Sequence, residues 1–158
     1  MKALRALALP STFLLAFAAC GGTTGPSIPE VAGTYTGSLT VEATAVFGGM
    51  PETISATGSM RVLVQQDADR VTLSGSITTA GDTESIEAIS GTIDGAGVWT
   101  ETGSGAGSFL FEDDECGYVA SSEVRFSDGS LEIEAAATRS EPTVDCPNVA
   151  MSAELTRS

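Results

Sequence analysis

One pattern limits what this chain can become: apolar and polar residues alternate with a period of two. From Tyr35 to Phe47 the odd positions read Tyr, Gly, Leu, Val, Ala, Ala and Phe. The even positions from Thr34 to Thr44 read Thr, Thr, Ser, Thr, Glu and Thr. An extended chain sends successive side chains to opposite faces, whereas a helix needs apolar spacings of three and four. The stretch is therefore expected to be a long strand with one face buried and one face in water.

The same alternation returns along the chain between turn signals. Gly48-Gly49 ends the first strand. A second, about Thr53 to Gln65, puts Ile54, Ala56, Gly58, Met60, Val62 and Val64 on one face. Asp67-Ala68-Asp69 turns into a third, about Arg70 to Thr79, with Val71, Leu73, Gly75 and Ile77 inward. The fourth, about Thr83 to Ile93, changes phase between Ala88 and Ile89, and one extra residue of the kind a β-bulge supplies restores it. Asp94-Gly95 signals a hairpin. Val98 to Glu112 reads either as one long strand with a glycine waist or as two strands joined by a Gly-rich loop. Tyr118 to Phe126, Leu131 to Ala137 and Val149 to Leu155 complete the series, with Asp128-Gly129 as the hairpin between the first two. No stretch beyond the first thirty residues has the periodicity of an amphipathic helix. The expected fold is all-β: an antiparallel up-and-down barrel of eight or nine strands, or alternatively a β-sandwich.

The N-terminus has a different character. Lys2 and Arg5 precede a mostly apolar run from Ala6 to Ala19. That run falls short of the roughly 20 apolar residues a bilayer-spanning helix needs, and it fits a signal peptide. Phe17-Ala18-Ala19-Cys20-Gly21 resembles the lipobox of bacterial lipoproteins, with Phe17 where Leu is usual. The resemblance implies cleavage before Cys20 and lipidation of Cys20. It implies residues 1–19 as signal peptide, 20–30 as lipidated cysteine and linker, and 31–158 as the barrel domain. Two or more acyl chains, at about 0.8 kcal/mol per buried methylene, hold a protein stably on a membrane. By the sorting rule of that family, Gly21 in place of Asp favours the outer membrane. Residues 21–29, Gly-Gly-Thr-Thr-Gly-Pro-Ser-Ile-Pro, form a linker that reaches roughly 30 Å when extended.

Export permits disulfides, and Cys116 and Cys146 remain to pair once Cys20 is assigned. Each precedes a strand, and one hairpin partner separates those strands. In an up-and-down order both cysteines fall at the same rim, so the expected disulfide favours the meander over the sandwich.

Charge narrows the partners. Without residues 1–19 the chain has five arginines, no lysine and 21 acids, a side-chain charge of −16. Nucleic acid is excluded, because its phosphates need Lys and Arg. Flat adsorption to anionic lipid is disfavoured for the same reason.

Ile28-Pro29-Glu30-Val31-Ala32-Gly33-Thr34-Tyr35 resembles the opening of lipocalin-like barrels. In that family Gly-x-Trp begins the first strand, and a basic residue near the last strand packs over the ring. Gly33-Thr34-Tyr35 stands in that place, with Tyr35 for Trp and Arg157 as the basic partner. The resemblance implies a barrel and leaves the ligand undefined.

Catalysis is not expected. The sequence has no histidine, and no base is evident beside its serines. Gly103-Ser104-Gly105-Ala106-Gly107 lacks the Lys-Ser/Thr ending of a phosphate loop. No cofactor is implied. Glu112, Asp113, Asp114 and Glu115 have the oxygen chemistry that calcium prefers but not the spacing of an EF-hand, and read first as a solvated acidic loop. A small apolar ligand inside the barrel would be lined by Tyr35, Leu39, Phe47, Met60, Phe109, Phe111, Tyr118 and Phe126. The sequence thus points to a membrane-anchored, extracytoplasmic, non-catalytic barrel that binds such a ligand. The alternative is an envelope structural or protein-interaction module with a solid barrel.

Overall fold

The alternating segments become eight strands in the computed structural model, which describes residues 27–102 and 116–158. They are β1 (Gly33–Phe47), β2 (Met50–Asp67), β3 (Arg70–Thr79), β4 (Asp82–Ile93), β5 (Val98–Glu101), β6 (Val119–Ser127), β7 (Ser130–Thr138) and β8 (Asn148–Arg157). Each pairs antiparallel with the next, and β8 returns to β1, so the sheet closes into an up-and-down barrel. Closure removes the sandwich alternative. β2 begins at Met50, three residues before its expected start, because Met50 to Thr53 pair with Phe47 to Thr44 right up to the Gly48-Gly49 turn. Both turn glycines have positive φ, 59° and 84°, as a tight two-residue hairpin requires.

The phase change in β4 is a bulge. Leu73 pairs with Ile89 and Gly75 with Ile86, so Glu87 and Ala88 both stand against Ser74. Ile86 and Ile89 therefore both pack on the core despite their odd spacing. Among the described residues the segment from Val98 is a strand over Val98–Glu101. Its two expected forms differ over residues 103–115, outside the described part.

The apolar side of every strand faces inward. Tyr35, Leu39, Met60, Val62, Val64, Val71, Leu73, Trp99, Val124, Phe126, Leu131, Ile133 and Leu155 are buried. The outer side is polar, with hydroxyl pairs across strands at Thr44–Thr53, Thr72–Ser90 and Thr78–Thr83, 2.9–3.0 Å apart. This arrangement is the reverse of a transmembrane barrel, which is apolar outside. Among the described residues no helix is long and apolar enough to cross a membrane.

These core residues crowd one end, here the lower, where β1 starts, β8 finishes and the β2–β3, β4–β5 and β6–β7 turns lie. Burying each large aliphatic side chain contributes about 1.5–3 kcal/mol, so this end anchors the fold. Val31 plugs it from below. Its N–H donates to Gln66 Oε1 at 2.7 Å, and its carbonyl accepts from the Tyr35 hydroxyl at 2.9 Å. The Tyr35 ring meets Phe126 edge-on, 5.7 Å between centroids. Arg157, opposite Tyr35 on β8, lies against Gly33 and donates from Nη2 to the Ala32 carbonyl. Burial pushes the Tyr35 phenol pKa up, while Arg157 pulls it down and Glu30 adds a smaller push upward.

Candidate functional site

The upper end differs. β1 and β2 stay paired over their whole length to Phe47↔Met50, but their neighbours stop earlier. β8 leaves β1 at Thr44↔Asn148, and β3 leaves β2 at Gly58↔Thr79. A two-stranded ribbon of about residues 45–57 therefore stands above the barrel. Its strands pair because Thr and Ser alternate with Ala, Ile and Phe up to the turn, with no residue that would break the ladder before Pro51.

The ribbon carries the inner, apolar face of the barrel out into solvent. Phe47, Met50 and Ile54 lie on that face and are 62%, 68% and 74% exposed. Ala43 stands opposite Ile54, and Val41 opposite Ala56, continuing the face down to the buried Leu39. Glu52 is the one charge on that face, beside Ala45.

Across the mouth, the rim is braced. Cys116 and Cys146 form the expected disulfide, with Cα atoms 5.6 Å apart. The Tyr118 hydroxyl donates to the Pro147 carbonyl at 2.7 Å, and the Arg139 N–H donates to Asn148 Oδ1 at 2.8 Å. The β7–β8 loop is thereby fixed to the start of β6.

The residues expected to line a ligand separate into groups. Tyr35, Leu39, Met60 and Phe126 fill the closed lower core as packing against one another. Phe47 is out on the ribbon tip, and Tyr118 is half-buried at the rim. Phe109 and Phe111 lie outside the described residues. So do Cys20, the acidic run Glu112, Asp113, Asp114 and Glu115, and the glycines from Gly103 to Gly107. Small inward residues do not all create space. At Gly37 and Gly75 a side chain would strike the carbonyls of Glu154 and Arg61, so the neighbouring backbone already occupies that volume.

Other surfaces are plainer. A cleft of about 570 Å³ runs over the outer faces of β6, β7, β8 and β1, lined by Thr40, Glu42, Glu123 and Glu134 among others. Glu123 faces Glu134, and Glu132 faces Glu154, across neighbouring strands. Arg125 pairs with Glu123. Among the described residues no group of three or more His, Cys, Asp or Glu side chains could hold a metal ion. No buried polar or charged side chain occurs among them.

Sequence reasoning placed Ile54 on the inner face but did not single out Met50, nor see that this face leaves the barrel. The signal was a length mismatch. The first two alternating stretches are longer than the ten-residue third strand and the last one. No protein-family model and no curated protein matches the chain.

Proposed function

We propose that this protein is a lipid-anchored, extracytoplasmic barrel of lipocalin-like type that works without catalysis, by presenting its upper ribbon to another envelope protein. The observation that supports this is the exposed apolar face of Phe47, Met50 and Ile54 on a two-stranded ribbon. Contiguous exposed apolar surface marks an interaction site more often than chance. Acylated Cys20 anchors the chain, by the lipobox reading of Phe17 to Gly21. The chain enters β1 at the lower end, and the ribbon tip lies fifteen strand residues away. At about 3.3 Å per residue and a tilt near 40° this is on the order of 40 Å. The described chain thus enters the barrel at the end opposite the apolar face, which on the lipobox reading sets that face away from the anchored end. Gly21 favours the outer membrane where the cell has one.

The lipocalin-like reading draws on the Gly33-Thr34-Tyr35 opening, the closed eight-stranded barrel and Arg157 against Gly33. A second reading, a small apolar ligand held in the mouth, draws on the small, half-buried Ala43 and Ala45.

Two experiments test the proposal. Fatty-acid labelling in cells should tag the wild-type chain and not Cys20→Ser; a labelled variant would overturn the anchor. A photo-crosslinking residue at Met50 should trap a protein that the same residue at Asp128, on the lower end, does not. Equal trapping from both positions, or none from Met50, would overturn the interaction.

A further inference from the structure

The ribbon offers more than apolar side chains. On one side β2 pairs with β1 throughout. On the other, among the described residues, Pro51 to Thr57 have no partner strand, because β3 begins its pairing at Gly58. Natural sheets protect such edges with proline, inward charges or bulges. Here Pro51 and Glu52 guard only the tip. Thr53-Ile54-Ser55-Ala56-Thr57 is free of proline and charge, and three of its five residues are β-branched. Among the described residues no strand pairs with its outer backbone edge.

We infer that this edge takes an extended segment of the partner, carrying both apolar residues and Lys or Arg, by strand addition. The inference rests on the proposed interaction and specifies its mode. Strand addition obtains affinity from main-chain hydrogen bonds and specificity from alternate side chains. The apolar residues of the segment extend the face made by Ile54 and Ala56. Its basic residues answer the local charge. Glu52 lies on the ribbon and Asp82 and Glu84 on the neighbouring β3–β4 hairpin, all on the face of Ile54, while Glu42 lies on β1 below the ribbon and on the opposite face. Arg61, Arg70, Arg125 and Arg157 are all on the lower half, leaving Arg139 as the upper cation among the described residues. The same charge argues against a second copy as occupant. Without residues 1–19 each chain has a side-chain charge of −16, so edge-to-edge pairing of two would bring like charges together.

The test uses the full chain as purified from cells and three seven-residue peptides. One alternates Val and Lys, one alternates Val and Glu, and one is the Val–Lys peptide N-methylated along one edge. The Val–Lys peptide should bind, and the other two should bind at least tenfold more weakly. Equal binding of the N-methylated peptide would reduce the effect to charge attraction and overturn the inference, as would equal binding of the Val–Glu peptide. On the protein, Ser55→Pro and Ala56→Pro form a matched pair. Neighbouring N–H groups point to opposite edges, so one of the two blocks the free edge and leaves pairing with β1 intact. That variant should lose the peptide and keep the wild-type unfolding midpoint; retained binding in both would overturn the inference. A dimer in sedimentation that either proline disperses would assign the edge to a second copy instead. If no peptide binds while Met50 still traps a protein, strand addition fails and the interaction stands.

Discussion

Trp99 lies against Gly91 so closely that no side chain fits at that glycine. A Cβ there would strike the indole and the Thr100 carbonyl. The indole N–H donates to the Val71 carbonyl at 3.1 Å, which ties β5 to β3 beneath β4. β5 is the shortest strand described, at four residues, and it pairs with β6 through only Val98 and Trp99. This contact therefore secures the narrowest part of the closed sheet. Gly91→Ala should destabilise the fold by about 1–3 kcal/mol through overpacking. Urea unfolding followed by Trp99 fluorescence measures it, and an unchanged midpoint would contradict the role given to the pair.

Tyr35 predicts a pH effect. Its folded pKa is raised above the ordinary 10.0, mainly by burial. Between the unfolded and folded values the native chain holds more protons than the unfolded one, so stability falls as pH rises. The contribution is complete below pH 10 and is lost as pH climbs through the folded value. Tyr35→Phe should flatten that fall. It should also cost about 0.5–1.5 kcal/mol at neutral pH, because the Val31 carbonyl loses its donor. Denaturant melts at pH 8 and above pH 10 on both proteins check each statement.

The disulfide closes a loop with a sequence separation of 30 residues. In the chain-entropy model its loss costs roughly 3–4 kcal/mol. Cys116→Ser paired with Cys146→Ser should lower the urea midpoint accordingly, with the lower-end core unchanged. An effect below about 1 kcal/mol would show that Tyr118 and Asn148 brace the rim without it.

The bulge makes a sharper test of register. Deleting Ala88 leaves Ile86 and Ile89 two positions apart on a regular strand, still inward opposite Gly75 and Leu73. That deletion should be tolerated within about 1 kcal/mol. Deleting Ser76 from β3 turns Ile77 outward and Thr78 inward, since a one-residue slip exchanges the faces, and should be severely destabilising. Thermal melts of the two deletions should rank in that order.

Much of this architecture was legible before any coordinate. Alternation is a local signal, so Tyr35, Leu39, Val62 and Leu73 declared their face, and the phase break at Ala88–Ile89 declared the bulge. Turn glycines and the two rim cysteines then fixed the order of strands. What alternation cannot convey is depth along the barrel axis. Leu39 and Phe47 share a face and a parity, yet one is in the core and the other in water. Their difference depends on where β8 and β3 stop, which is a property of neighbouring strands. Tyr35, Met60 and Phe126, expected as ligand lining, lie in the buried core cluster. At the inward Gly37 the backbone of β8 closes in, so the missing side chain leaves no free volume there.

The central claim, that the ribbon holds a protein partner, meets its most direct test in native mass spectrometry of the chain extracted from its own membranes. The wild-type chain should appear with a second, different polypeptide. The Phe47→Ser, Met50→Ser, Ile54→Ser variant should appear without it. Added mass of only a few hundred daltons, or identical spectra for the two proteins, would contradict the account.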